Sequence, residues 1–559
     1  MIAAARLWRR PLRLVPLVFV LLLGLLSAAG RSSAADAPPD SHAPLIALPA
    51  RPTIAPVMAC AALATPATVY AGGTGYRILS ATEAPARADA VATCVVKGYA
   101  APQTQFELRL PLAGYTGRFL QGGCGGMCGV ISDSIVPLCS NAHLASGAFA
   151  VAYNDGGHFS AGIGDGTWAV DPELRMQFAH KATHATALVS KAIIARFYGQ
   201  APENSYFVGC SGGGREALME TQRHPADFDG VVAGSSVSMP AAMQLFLWEA
   251  QKGLDAEGRE IFTPAAVATL HRAVLAACDR LDGIPDGQID DPRRCHYDPA
   301  ALLCPADARP RSNCLTPGQV EAARAYFRGP TSEDGTPLFP GGAPYGSELG
   351  WVGPGAATQT GKLAAESFIK LVLLPGELPE SFGWRDWRFT RAMFDRLMVA
   401  GAQFDPADPD LAAFRDRGGK LILWQGMADN AAGARGMLDY YQAVREHMGG
   451  LEATRRFARM FPVPGGYHCR GGYVPYDMDF LGAMVDWVER GVAPESVLAA
   501  ARLADGAVRR RPLYAYPTPT RYRGGDVNDP RSFSPGTIRT EPDDAYPWPG
   551  SKAGAKRAP

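Results

Sequence analysis

The stretch Ser205-Tyr-Phe-Val-Gly-Cys-Ser-Gly-Gly-Gly-Arg215 carries the reading of the fold. Tyr206, Phe207 and Val208 read as a short buried strand, the glycines as a tight turn, and residues 215–224 as a helix. Within it, Gly209-Cys-Ser-Gly-Gly213 matches G-x-S-x-G, the turn that lifts a nucleophilic serine above a strand. The demand is steric. A serine on a sharp strand-to-helix turn sits in a strained backbone conformation, so its close neighbours must be glycine. The helix that follows aims free N–H groups at the serine, which suits a developing oxyanion. Gly and Ser also crowd ordinary loops; the flanking strand and helix give the match its weight.

Outward from this turn, strands alternate with helices. Residues 93–97 and 105–111 alternate in the manner of strands, and 118–129 run from a strand into the glycine-rich loop Gly122-Gly-Cys-Gly-Gly-Met-Cys-Gly129. That loop lacks the G-K-[ST] ending of a phosphate cradle. With a nucleophile turn elsewhere it reads as the second oxyanion loop, with Gly125 or Gly126 joining Gly212 as donor; a plain tight turn is the alternative. Residues 147–153 and 228–234 are further apolar strands, and 172–199 show helical periodicity. This alternation predicts an α/β domain with a mostly parallel sheet flanked by helices. From residue 237 to 404 the pattern gives way to Pro, Gly, cysteines and aromatics, which reads as a large inserted lid. The α/β pattern resumes at 405–510 with strands at 419–425 and 456–463 and helices at 432–449 and 477–490. Residues 511–559 read as an extended tail.

At 559 residues the chain exceeds one ordinary domain. Lys+Arg and Asp+Glu balance at 54 each, which argues against nucleic acid or anionic membrane as partner and for a small neutral or mixed-charge molecule. Arg6, Arg9, Arg10 and Arg13 precede an apolar run at 14–26 and then small residues, so 1–35 read as a cleaved export signal. No other run is long and apolar enough for a membrane span in the mature chain. The eleven cysteines agree with an oxidising compartment, periplasm or medium, and lack the spacing of a zinc site. Nothing in the sequence speaks to oligomeric state.

A serine nucleophile needs a base, and the base an orienting carboxylate. In α/β-hydrolases these follow in the order Ser, acid, His, each on a loop after a strand. Asp429 follows the strand at 419–425, and His468 the strand at 456–463. His158, His180, His184 and His224 are competing bases. Cys210 precedes Ser211 and Cys469 follows His468; if serine and histidine meet, their neighbours meet too and can form a disulfide.

Cysteines beside both the Ser and the His of a Ser–Asp–His set make the chain resemble the tannase/feruloyl esterase family of α/β-hydrolases, which includes terephthalate-monoester hydrolases. Gly-Gly-Arg215, Gln222-Arg223, Pro225 and Asp227-Phe-Asp-Gly230 look like that family's turn helix and next strand. The resemblance implies an exported carboxylic-ester hydrolase acting through an acyl-enzyme on esters of aromatic acids such as hydroxycinnamates, gallate or terephthalate. A non-catalytic binding protein on the same fold is the rival of another class.

Asp279, Asp282 and Asp286 fall within eight residues, with Gly283 and Gly287 between them. Carboxylates so close repel without a cation, and calcium suits oxygen ligands on a flexible loop; a solvated acidic turn is the alternative. The resemblance implies a structural calcium here, held also by the carbonyls of Ile284 and Gln288, with Cys278–Cys295 closing the loop. It implies no organic cofactor. It further implies Cys60–Cys94 and Cys304–Cys314, while Tyr514 and Ser534-Pro535 stand where a last cysteine pair is expected. Cys124, Cys128 and Cys139 remain, read as Cys128–Cys139 with Cys124 free. In the lid, Phe382, Trp384, Arg385 and Trp387 are candidates to stack on an aromatic ring or pair with a carboxylate, core packing being the alternative.

Overall fold

The computed structural model describes residues 46–538, apart from 88–89, 133–142, 163, 237, 306–312, 354–360, 430, 432, 475 and 504. The run read as an export signal, Cys139 and the end of the expected tail lie outside the described residues. A ten-stranded sheet organises the rest. Its first half is an antiparallel meander of β1 (Thr65–Ala71), β2 (Thr74–Ala84), β3 (Thr93–Ala100) and β4 (Thr104–Pro111). Its second half is parallel: β6 (Phe149–Asn154), β5 (Arg118–Gly122), β7 (Asn204–Cys210), β8 (Gly230–Gly234), β9 (Lys420–Gly426) and β10 (Ala458–Val463), in that spatial order. β4 joins the halves by pairing antiparallel to β6.

The parallel strands are buried on both faces, which is why they read as unbroken apolar runs. Side chains still alternate. Phe207, Val231 and Leu421 face one core, shared with Val189 and Ile193 of α1 (Ala182–Tyr198), Ala217 of α2 (Gly212–Arg223) and the later Met437 and Tyr441. Tyr206, Val208, Val232, Ile422 and Phe461 face the other core, shared with Phe480, Leu481 and Met484. A one-residue register slip would exchange the two sets, so packing fixes how the strand ends line up.

Chain order reverses around β5: β6 lies on one side of it and β7 on the other. Such a switch opens a crevice at the carboxyl ends of the strands, where ligands of α/β sheets bind. The loop 122–129 leaves β5 and Ser211 leaves β7, side by side at that crevice.

Between β8 and β9 runs the segment read as a lid, with α3 (Met239–Lys252), α4 (Pro264–Cys278), α5 (Pro317–Arg328) and α6 (Arg391–Gly401). Their starts are written locally: Thr263, Thr316 and Thr390 cap the last three, and Thr316 with Gln319 forms a full capping box. After β9 come α7 (Ala434–His447), β10 and α8 (Phe480–Arg490). A second, three-stranded sheet flanks α8 in the chain, of β11 (Asp477–Met478) before it and β12 (Ser496–Arg502) and β13 (Val508–Tyr514) after it. The tail expected from residue 511 therefore begins inside a strand. Thr520–Tyr522 then pairs with Phe533–Pro535, closing by backbone hydrogen bonds a region where no cysteine pair is available.

Candidate active site

Ser211 has φ +61° and ψ −120°, a left-handed conformation for a residue with a side chain. The glycines around it pay for contact, not only for flexibility. A Cβ on Gly209 would lie 2.1 Å from the Gly213 carbonyl oxygen, and one on Gly212 2.5 Å from that of Gly126. So the turn and the 122–129 loop touch through backbone alone. The Ser211 amide donates to the Gly234 carbonyl at 3.0 Å, tying the turn to the end of β8.

His468 joins the other two members. Its Nε2 lies 2.8 Å from Ser211 Oγ, and its Nδ1 lies 2.9 Å from Asp429 Oδ2. Asp429 is sealed, while the His468 side chain keeps 31% of its exposure, so a substrate reaches base and nucleophile but not the acid. Gln425 Nε2 donates to Asp429 Oδ2 at 2.9 Å and the Ala431 amide to Oδ1 at 2.9 Å, which holds the carboxylate in place. Partial burial of the ring disfavours imidazolium, but the charge of Asp429 and its hydrogen bond more than offset this. The net shift of His468 is upward. The expected Cys210–Cys469 disulfide is present, with Cα atoms 5.9 Å apart, and it joins the two loops beside the reacting groups. Cys60–Cys94, Cys278–Cys295 and Cys304–Cys314 also form as expected.

The 122–129 loop, read as the second oxyanion loop, brings one correction. Cys124 bonds to Cys128, so Cys124 is not free and Cys128 does not pair with Cys139. The bond closes a five-residue loop around Gly125 and Gly126, the two candidate donors. The reason is the loop's own turn: the Cys128 amide donates to the Gly125 carbonyl at 3.0 Å, which brings residues four apart together.

Two residues have supporting roles that the sequence reading does not assign: Glu216 goes unremarked there, and Arg215 figures only as a motif residue. Glu216, in the first turns of α2, accepts from the Cys124 amide at 2.8 Å and from Thr183 Oγ1 at 3.1 Å. It fastens the oxyanion loop to the helix that carries Ser211. Arg215, fully buried, donates to the carbonyls of Phe178 and Ala179 and lies over the Phe178 ring. On α3, buried Glu249 stands near Asp429; burial first, then the charge of Asp429, push its carboxyl well up.

The competing histidines are engaged elsewhere. His158 is buried, with Nε2 2.8 Å from the Met127 carbonyl and its ring stacked on Trp168. Burial pushes it down to about 4, so it braces the oxyanion loop as a neutral ring. His180 and His224 are also neutral, lowered to about 3 and about 4 by burial and by nearby positive charge, and lie with His184 beyond the far end of α2.

The acidic loop is shaped by its first carboxylate: Asp279 Oδ1 accepts from the amides of Asp286, Gly287 and Gln288. Asp282 Oδ1 caps the Ile284 amide at 2.9 Å. Asp282 Oδ2 and Asp286 Oδ1 are buried without a hydrogen-bond partner, and burial with the charges of Asp290 and Asp286 pushes Asp282 up to about 8. Orphaned carboxylate oxygens of this kind fit a hard cation. Arg511 pairs with Asp286 and, at 3.0 Å, with Asp290, so β13 already offsets part of the charge. A cavity of about 140 Å³ opens beside this loop, between Asp282, Asp290, Tyr514 and Pro517, away from the serine.

In the lid, Trp387 is buried and donates from Nε1 to Gln244 Oε1 at 3.0 Å, a core role. Phe382 and Trp384 pack on the edge of the same core, and the exposed Arg385 lies over the Trp384 ring.

A strained serine after a parallel strand, linked in chain order to an aspartate and a histidine at neighbouring strand ends, defines an α/β-hydrolase. The family described as "Tannase and feruloyl esterase" matches residues 88–535, and the chain belongs to it: it is a carboxylic-ester hydrolase. It is 34% identical over 525 residues to mono(2-hydroxyethyl) terephthalate hydrolase of Piscinibacter sakaiensis, covering 81% of this chain and 86% of that protein. A probable feruloyl esterase of Arthroderma benhamiae is 32% identical over 444 residues, covering 75% and 80%. The structure is similar to that of feruloyl esterase B from Aspergillus oryzae, with TM-score 0.72 and 28% identity over 82% of this chain and 97% of that one.

Proposed function

We propose that the chain hydrolyses esters of aromatic carboxylic acids through an acyl-enzyme on Ser211. His468 Nε2 takes the proton of Ser211 Oγ as that oxygen attacks the ester carbonyl. Asp429 holds the ring through Nδ1–H and stabilises the imidazolium that forms. The amide of Gly212, with the loop amides of Gly125 and Gly126, receives the oxyanion. The tetrahedral adduct collapses, and His468 returns the proton to the departing alcohol. Water, deprotonated by His468, then attacks the acyl group; the acid leaves and Ser211 regains its proton. The hydrogen-bonded chain from Ser211 through His468 to Asp429 carries this reading. The aromatic class is supported by the names of the relatives, feruloyl esterases and a terephthalate monoester hydrolase. Phe382, Trp384 and Arg385 serve in this reading as the lid's contacts to the acid's ring or carboxylate.

The acidic loop holds a structural calcium through Asp279, Asp282, Asp286 and the carbonyls of Ile284 and Gln288, the orphaned oxygens being its support; the ion takes no part in the reaction. Five disulfides among the described residues support an exported enzyme. Among the described residues no helix is long and apolar enough to cross a membrane.

A fluorophosphonate probe tests the chemistry: it labels Ser211, and absence of label would leave a non-catalytic binding protein. Acid release from methyl ferulate, methyl gallate and mono(2-hydroxyethyl) terephthalate, compared side by side, tests the substrate. Failure on all three removes the aromatic assignment. The 34% relative makes the terephthalate monoester the second reading, favoured if it is turned over fastest.

A further inference from the structure

The histidines left over from the search for a base meet at a site of their own. His180 lies in a π-helical turn (Gln177–Lys181), His184 one turn later in α1, and His224 just past the end of α2. His184, His224 and Asp227 each place one ligand atom within 4.8 Å of the others. His184 Nδ1 lies 2.5 Å from Asp227 Oδ2, and His180 Nδ1 lies 3.0 Å from His224 Nε2. The rings of His184 and His224 stack at 4.0 Å. Asp227 is buried while the three imidazoles are partly exposed, so an ion has a way in. Two imidazole nitrogens facing each other at 3.0 Å need a proton or a cation between them.

We propose that His184, His224 and Asp227, with His180 as fourth donor, bind one borderline divalent transition-metal ion, of which zinc is the representative. Imidazoles with a single carboxylate suit such an ion, whereas calcium takes oxygen ligands, so this site and the acidic loop differ in chemistry. Tetrahedral zinc with bonds of about 2.0–2.1 Å sets its ligand atoms roughly 3.4 Å apart. The pairs at 2.5 and 3.0 Å fall less than 1 Å short of that spacing, and the His184, His224 and Asp227 atoms all lie within 4.8 Å, so small side-chain rotations close the rest. The carbonyl end of α2 adds a favourable dipole. Glu220, fully buried, stands against Asp227 as a supporting carboxyl. The twelve residues of α2 separate the site from Ser211 by roughly 18 Å of helix, so the ion cannot touch the reacting atoms. Its effect is to clamp the far end of the serine-bearing helix to α1.

The test uses the full chain, stripped with chelator and then held in excess calcium. Zinc titrated by calorimetry binds at one equivalent per chain and raises the melting temperature, and Co²⁺ shows the visible bands of a tetrahedral nitrogen–oxygen site. His224→Gln, a partly exposed position, weakens zinc by about 100-fold or more and leaves ester turnover unchanged. Absence of saturable zinc binding together with a plain aqueous Co²⁺ spectrum overturns the proposal. Binding that His224→Gln and His184→Gln both leave intact overturns it as well.

Discussion

Cys210–Cys469 joins residues 259 apart and Cys278–Cys295 residues 17 apart, and each closes around carboxylates. At the first, the chain itself completes the acid: Asp429 receives His468 on one oxygen and the Ala431 amide on the other. At the second, Asp282 and Asp286 each keep a buried oxygen that nothing in the chain meets. One cluster holds a ring in one pose; the other leaves buried carboxylate oxygens without a hydrogen-bond partner, the basis of the proposed calcium site. In the proposed reading the same two ingredients, a crosslink and buried aspartates, serve chemistry in one place and ion binding in the other. The loop-entropy argument assigns about 5.6 kcal/mol to the long crosslink and about 3 kcal/mol to the short one.

The sharpest break between the regions comes from Ser211→Ala, which lowers kcat by about 10⁵–10⁶-fold with melting temperature unchanged. Next is Asp429→Asn, expected to cost about 10⁴-fold in kcat. It also moves the pH profile. Catalysis needs neutral His468, whose pKa is raised above 6.5, so kcat/KM of the unaltered enzyme falls away on the acid side with an apparent pKa above that value. Without the charge of Asp429 the acid limb moves to lower pH; a profile that does not move contradicts the pairing.

Smaller effects separate the two crosslinks. Cys210→Ala with Cys469→Ala lets His468 drift and lowers kcat by roughly 10–100-fold at saturating substrate. Cys278→Ala with Cys295→Ala leaves kcat within about two-fold but weakens calcium binding and lowers the melting temperature. Unchanged turnover in the first variant would show that the bond is not needed to place the base. The smallest effect is calcium removal by chelator: the protein melts lower, turnover well below the melting temperature is unchanged, and Asp282→Asn abolishes the calcium response. Loss of turnover at constant stability would instead draw the acidic loop into the catalytic side.

Much of the catalytic end was legible because it is written in local signals. β8 and β9 are short apolar runs, G-x-S-x-G has one steric meaning, and Asp429 and His468 follow strands in the expected order. What escaped was long-range compensation of charge. The expected tail begins at residue 511, yet Val508–Tyr514 is a strand, and the alternate residues Arg509 and Arg511 reach Asp286 more than two hundred positions earlier. Glu216 likewise looks like an ordinary solvated helix residue until the Cys124 amide, 92 positions away, is brought to it. The pairing of Cys124 with Cys128 followed from a turn that glycine-rich sequence does not specify.

The most direct test is to trap the acyl-enzyme. Rapid acid quench during turnover of methyl ferulate, followed by peptide mass mapping, is predicted to show a feruloyl group on the peptide carrying Ser211 in the unaltered enzyme and none in Ser211→Ala. Turnover without any adduct on Ser211, or with the adduct on another residue, would contradict the account.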